Sequence, residues 1–183
     1  MRLFAAVLPP DAAVTELARA VEGLRDDRLR WTAQEGWHFT LAFMGEVRDD
    51  VLPDLHARLE RAARRSAPFT LRLHGAGRFG DRALWAGAAG GLDGMRMLAE
   101  RADAAARRAG VPMEQHHRYT PHLTLARGRE SADLEPYLEG LAAFEGTPWQ
   151  VTELSLVRSN LPVSGVPGEQ PRYETVAAWP LAG

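Results

Sequence analysis

Two stretches of this sequence share a phrase able to do chemistry: HFTLAFMG, from His38 to Gly45, and HLTLARG, from His122 to Gly128. Each runs His, any residue, Thr, Leu, Ala. Along a β-strand alternate side chains share a face. His38 and Thr40 therefore point one way and Phe39 and Leu41 the other; likewise His122 and Thr124 oppose Leu123 and Leu125. Each strand has an apolar face to bury and an imidazole beside a hydroxyl to present. Two imidazoles meeting one reacting centre from opposite walls can serve as general base and general acid, a task that suits histidine because its ordinary pKa is about 6.5. The hydroxyls of Thr40 and Thr124 can donate hydrogen bonds to an anionic group held between the histidines. The two phrases are so nearly alike that neither histidine is marked as acid or as base.

A single His-x-Thr in a strand is commonplace. Two copies, each followed by Leu-Ala and each opening a comparable run of elements, point to a shared function. A metal site fits less well. Two histidines supply half of a tetrahedral shell, no cysteine is present, and Glu35, Glu46, Asp49 and Glu130 are spaced as caps and surface charges. His116 and His117 are adjacent, so in a strand their side chains diverge. No G-x-S-x-G elbow signals a serine hydrolase. No metal and no cofactor is expected.

The elements that must position these residues can be read from periodicity. RLFAAVL (2–8) reads as a strand stopped by Pro9-Pro10, and Asp11 opens a helix to about Leu24. His38 to Met44 is a strand. Asp49 or Asp50 opens a helix with Leu52, Leu55 and Leu59 near the 3.6-residue period. PFTLRLHG (68–75) and ALWAGA (83–88) form a hairpin, and a helix runs from about Leu92 to Ala109 before Gly110 and Pro112. The order then repeats: a strand from His122 to Ala126, a helix across Ser131 to Phe144, and strands over 149–159 and 172–181, with NLPVSGVPGEQP as an irregular segment between those last two. The fold class is therefore α+β: two pseudo-symmetric lobes, each an antiparallel sheet with outer helices, facing across a central cleft.

The 183 residues suit one domain of two intertwined lobes, carrying the phrases at 38–41 and 122–125. The N-terminal run reads as a strand rather than a signal peptide, and no segment approaches a membrane span, so a cytoplasmic location is expected. A net charge of −2 argues against a broad basic nucleic-acid coat but leaves room for a local phosphate site. All 22 basic residues are arginine, a bias of composition more than a signal. Because two internal lobes complete the site, a monomer without an obligatory protein partner is the default.

At these residues the chain resembles the two-histidine (2H) phosphoesterases, and within them the RNA 2′,3′-cyclic phosphodiesterase family, also called 2′-5′ RNA ligase-like. MRLFAAVLPP, WHFTLAFMGEV, RFGDRALWAGA, YTPHLTLARG and YETVAAWPL carry the resemblance, which spans essentially the whole chain. It implies hydrolysis of RNA 2′,3′-cyclic phosphate ends to 2′-phosphates without a metal. His122 would accept a proton from the attacking water and His38 would give one to the leaving 3′ oxygen, with Thr40 and Thr124 on the non-bridging oxygens. Run backward, the same chemistry forms a 2′-5′ linkage. RNA 3′ ends or small cyclic phosphates are the expected partners. Alternatives are a 2H esterase acting on another cyclic phosphate or oligonucleotide, and a weakly catalytic RNA-binding module, against which the two intact His-x-Thr pairs argue. Candidate substrate contacts are Arg127, Arg118 and the aromatics Tyr119, Phe79 and Trp37, which could stack on a base. Strict alternation sets Arg127 on the face opposite His122 unless the strand bulges there.

Overall fold

Thirteen regular elements arise from these runs in a computed structural model, which describes residues 1–115, 118–129, 132–166 and 169–183. The readings placed on His116-His117, Glu130 and Ser131 lie outside the described residues. In chain order the elements are β1 (Arg2–Val7), α1 (Asp11–Glu22), β2 (Leu29–Trp31), β3 (Phe39–Glu46), α2 (Leu52–Arg64), β4 (Phe69–Phe79), β5 (Ala83–Gly90), α3 (Leu92–Arg108), β6 (Leu123–Gly128), α4 (Glu135–Leu141), β7 (Trp149–Val151), β8 (Glu153–Asn160) and β9 (Arg172–Pro180).

The strands form two antiparallel sheets, one in the order β3-β1-β8-β9 and the other β2-β6-β5-β4-β7. The lobes are not the two halves of the chain. The β4–β5 hairpin of the first half pairs with β6, whereas β8 and β9 of the second half build out from β1 beside β3. One expected strand is divided by this exchange. WQVTELSLVRS reads as one strand, yet Val151 pairs with Phe69 of the second sheet while Glu153 begins the ladder with β9 in the first. Thr152 is the crossing point, and β7 and β8 are separate strands.

Helices cover the outer faces as the apolar spacing demands. Leu17 and Val21 of α1, Leu55 and Leu59 of α2, and Met95, Leu98 and Ala102 of α3 are buried stripes. α2 and α3 pack together over the first sheet, while α1 and α4 lie against β4 of the second. The apolar sides of the doubled phrase, Phe39, Leu123 and Leu125, are fully buried beneath them, each contributing about 1.5–3 kcal/mol of apolar burial. α4 is shorter than its pattern suggested, because after Leu141 the chain turns to bond β4: the Gly75 N–H donates to the Phe144 carbonyl and Gly146 N–H to that of Leu73. β2 has too few residues to show an alternation. Among the described residues no helix is long and apolar enough to cross a membrane.

Candidate active site

β3 and β6 bring His38, Thr40, His122 and Thr124 to one cleft of about 510 Å³ between the sheets. Both imidazoles are anchored in the same way. His38 Nδ1 lies 2.6 Å from the Gly36 carbonyl oxygen and His122 Nδ1 lies 2.8 Å from that of Thr120, each two residues upstream. A carbonyl oxygen only accepts, so each Nδ1 carries a hydrogen and donates it. In both rings Nε2 is left to exchange a proton with a bound group.

Aromatic rings support each imidazole. Phe4 of β1 and Tyr173 of β9 flank His38, with centroids 4.6 and 5.1 Å away. Phe79 and Trp85 flank His122 at 4.7 and 6.1 Å. Gly36 leaves room for this packing, since a Cβ there would come within 2.9 Å of the Tyr173 ring. Burial pushes the His38 imidazole below its ordinary value; the Gly36 bond opposes this, and the His122 charge adds a smaller push downward.

The Leu-Ala that follows each His-x-Thr forms a bulge, in the same place in both sheets. Ala5 and Ala6 of β1 face Ala42 and Thr40, skipping Leu41. Leu84 and Trp85 of β5 face Ala126 and Thr124, skipping Leu125. Two consecutive buried residues reverse the alternation, and the next residue returns to the cleft. That residue is Phe43 in one wall and Arg127 in the other, and both line the cleft. Arg127 stands opposite Arg30 of β2 in the ladder, and Arg2 also reaches the cleft, with its guanidinium 4.8 Å from the Phe43 ring centroid. Like charges directly opposite in a sheet repel. The three arginines converge where an anion between the histidines would be favoured.

The family model for the 2′-5′ RNA ligase superfamily matches residues 9–161. The chain belongs to that superfamily. An RNA 2′,3′-cyclic phosphodiesterase from Thermus thermophilus is 34% identical over an alignment of 205 positions, covering 100% of this chain and 91% of that protein. Another protein of that description, from Geobacillus stearothermophilus, is 31% identical over 84% of this chain, which spans about half (48%) of that relative's length. The crystal structure of Escherichia coli LigT in apo form superposes with a TM-score of 0.80 at 26% identity, covering 100% of this chain and 98% of that one.

Not every residue proposed from sequence reaches the cleft of this superfamily member. Trp37 lies in the core, its indole N–H donating to the Thr32 carbonyl at 3.2 Å; alternation turns it away from the side that His38 takes. Tyr119 and Arg118 line a separate groove between β3 and α3. The Tyr119 hydroxyl donates to the Thr40 carbonyl at 2.8 Å, tying the approach to the second phrase onto the strand of the first. Phe79 is exposed at the end of β4 and packs edge-on against His122. Sequence reasoning missed Phe4, Tyr173, Arg2 and Arg30. Arg2 and Phe4 share a face of β1 by simple alternation, which is a usable signal; Tyr173 and Arg30 become neighbours only through sheet pairing. Among the described residues no three His, Asp or Glu side chains gather as a metal-ligating group.

Proposed function

We propose that this chain is an RNA 2′,3′-cyclic phosphodiesterase that opens the cyclic phosphate to a 2′-phosphate using the two histidines and no metal. The observation that carries the proposal is the paired geometry: two imidazoles on opposite walls of one cleft, each with Nδ1–H bonded to a backbone carbonyl and Nε2 available. The names of the Thermus and Geobacillus relatives support the substrate class.

In the proposed reaction, His122 Nε2 takes the proton of the attacking water as oxygen bonds to phosphorus. The bond from phosphorus to the 3′ oxygen breaks, and protonated His38 Nε2 supplies that oxygen with its proton. Thr40 and Thr124 hydroxyls donate to the non-bridging oxygens, where charge grows, and Arg127 with Arg30 and Arg2 balances the phosphate. Burial disfavours the charged form of His38. The phosphate anion reverses that preference, so the donor is charged when substrate is bound. Replacing water by a ribose hydroxyl in the reverse direction forms a 2′-5′ linkage.

The test is to incubate the purified protein, with EDTA, with an oligoribonucleotide ending in a 2′,3′-cyclic phosphate. Formation of a terminal 2′-phosphate is expected, and His38→Ala and His122→Ala should each slow it by ~10² or more. Absence of turnover, or turnover that requires added metal, refutes the proposal.

A further inference from the structure

Helices α2 and α3 pack side by side, and the seam between them is a groove of about 150 Å³. α3 lies against the Leu41 side of β3, whereas Thr40, on the opposite side, faces the cleft. The groove therefore belongs to the outer layer of the first sheet. Arg58, Arg61 and Arg65 rim it from α2 and its C-terminal end, and Arg101 and Arg108 from α3. Spacings of three, four and seven residues put each set on one helix face. The floor consists of small alanine side chains, so the guanidinium groups stand above a shallow trough.

Among the described residues no carboxylate lines this groove. Arg58 is paired with Asp54 at 2.9 Å, outside the lining. Arg101 is held by donation to the Arg65 carbonyl at 2.7 Å and to Ser66 Oγ at 2.9 Å. Arg61, Arg65 and Arg108 form no ion pair among the described residues, while their helix neighbours Arg64 and Arg107 do, with Glu60 and Asp103. The lack of lysine accounts for the choice of arginine. It does not account for five of 22 basic residues converging on one seam of a chain with net charge −2. Such a concentration of one sign repels itself and attracts an anion.

We propose that this seam is a second phosphate-binding surface, which holds the backbone of an RNA strand apart from the cleft. Arg58 to Arg65 spans seven residues, about 10 Å at the helical rise of 1.5 Å per residue. Arg58, Arg61 and Arg65 thus stand at axial intervals of about 4.5 and 6 Å, a row along which the phosphates of a strand can lie. Guanidinium groups contact successive phosphates without reading bases, so binding at the seam is sequence-independent and salt-sensitive. The choice of RNA as the polyanion rests on the proposed function of the cleft; the anion chemistry of the groove does not.

The experiment compares wild type with Arg61→Gln/Arg108→Gln. Neutralising two mutually repelling charges leaves the fold intact, which a thermal melt checks. Affinity for a labelled twenty-nucleotide RNA with a 3′-hydroxyl end is measured by fluorescence anisotropy over a range of salt. The double variant should bind on the order of tenfold more weakly at low salt, with the slope of log affinity against log salt reduced by about 1.4, because each phosphate neutralised on a single strand contributes about 0.7. Turnover of a 2′,3′-cyclic mononucleotide should be unchanged, while KM for the same RNA ending in a cyclic phosphate should rise. Equal RNA affinity and salt slope in both proteins overturns the proposal. So does loss of affinity for a glutamate-rich peptide with RNA binding intact, which assigns the seam to an acidic protein. If wild type turns over neither substrate, the reading of the cleft fails, and the anisotropy comparison still decides the groove.

Discussion

Gly77 touches no substrate in the proposed mechanism, yet its substitution by alanine should disable His122. Gly77 sits on β4 directly opposite Trp85 of β5, and the indole lies across its missing side chain. A Cβ at this position would be 2.8 Å from Trp85 Cε2 and closer still to Cζ2 and Cη2. Carbon atoms pack at about 3.5–4.0 Å, so the ring must retreat by more than about 1 Å. The route is crowded, because Phe79 stands 5.4 Å from the Trp85 ring and 4.7 Å from the imidazole of His122. Overpacking of this kind costs about 1–3 kcal/mol, and each kcal/mol lowers Tm by about 2–4 °C in a chain of this size. A displacement of about 1 Å in a reacting group costs on the order of 10² in rate. Gly77→Ala should therefore lower kcat on a 2′,3′-cyclic phosphate by roughly that factor, with a modest fall in Tm. Gly23→Ala is the control: nothing lies within 4 Å of its Cβ and its backbone is right-handed, so activity should be unchanged. In a Trp85→Phe background the benzo ring that meets the methyl is gone, and adding Gly77→Ala should cost little more, a coupling a double-mutant cycle reads directly. Full kcat in Gly77→Ala, or the same penalty in both backgrounds, would show that the ring stack does not position His122.

His38 should titrate below 6.5 when its ring protons are followed by NMR, because burial outweighs the bond to Gly36. Its folded pKa lies below the unfolded one, so between these values the unfolded chain binds more protons and stability rises with pH. Acidification from pH 6.5 should destabilise the protein, and His122→Ala should move His38 only part of the way back; titration at or above 6.5 in wild type contradicts the burial argument. Tyr119→Phe removes the 2.8 Å bond to the Thr40 carbonyl and should cost about 0.5–1.5 kcal/mol in urea unfolding; unchanged stability would mean that the link between the phrases carries no energy. Arg127→Ala should raise KM about tenfold, the loss of about 1.4 kcal/mol of binding. Arg127→Lys should recover only part, since it keeps the charge and loses the planar fork. Arg118→Ala, lining the groove behind β3, should leave KM unchanged, and equal effects at 118 and 127 would refute the assignment.

The residues with period-two meaning were legible from sequence alone. His38, Thr40, His122 and Thr124 could be assigned to polar faces, and Phe39, Leu123 and Leu125 to the core, because side-chain direction along a short strand depends only on its own backbone. Two copies of one phrase were enough to suggest two walls of one site. Arg127 could not be assigned that way. Its return to the cleft depends on a bulge at Leu125-Ala126, and a bulge is a relation between two strands: β5 must offer Leu84 and Trp85 against three residues of β6. The same dependence hid Phe43 in the other wall. Tyr119 had the right neighbours in sequence and the wrong side of β3 in space.

Local pattern thus determined the chemistry on offer, the elements and the inward faces. Tertiary structure decided which strands stand together: the exchange of hairpins between sheets, the crossing at Thr152, and the aromatic supports that Phe4 and Tyr173 give His38. Alternation is set by steric preferences within a few residues. Strand pairing is set by competition among every available sheet edge for hydrogen bonds and apolar cover, and no single segment contains that comparison.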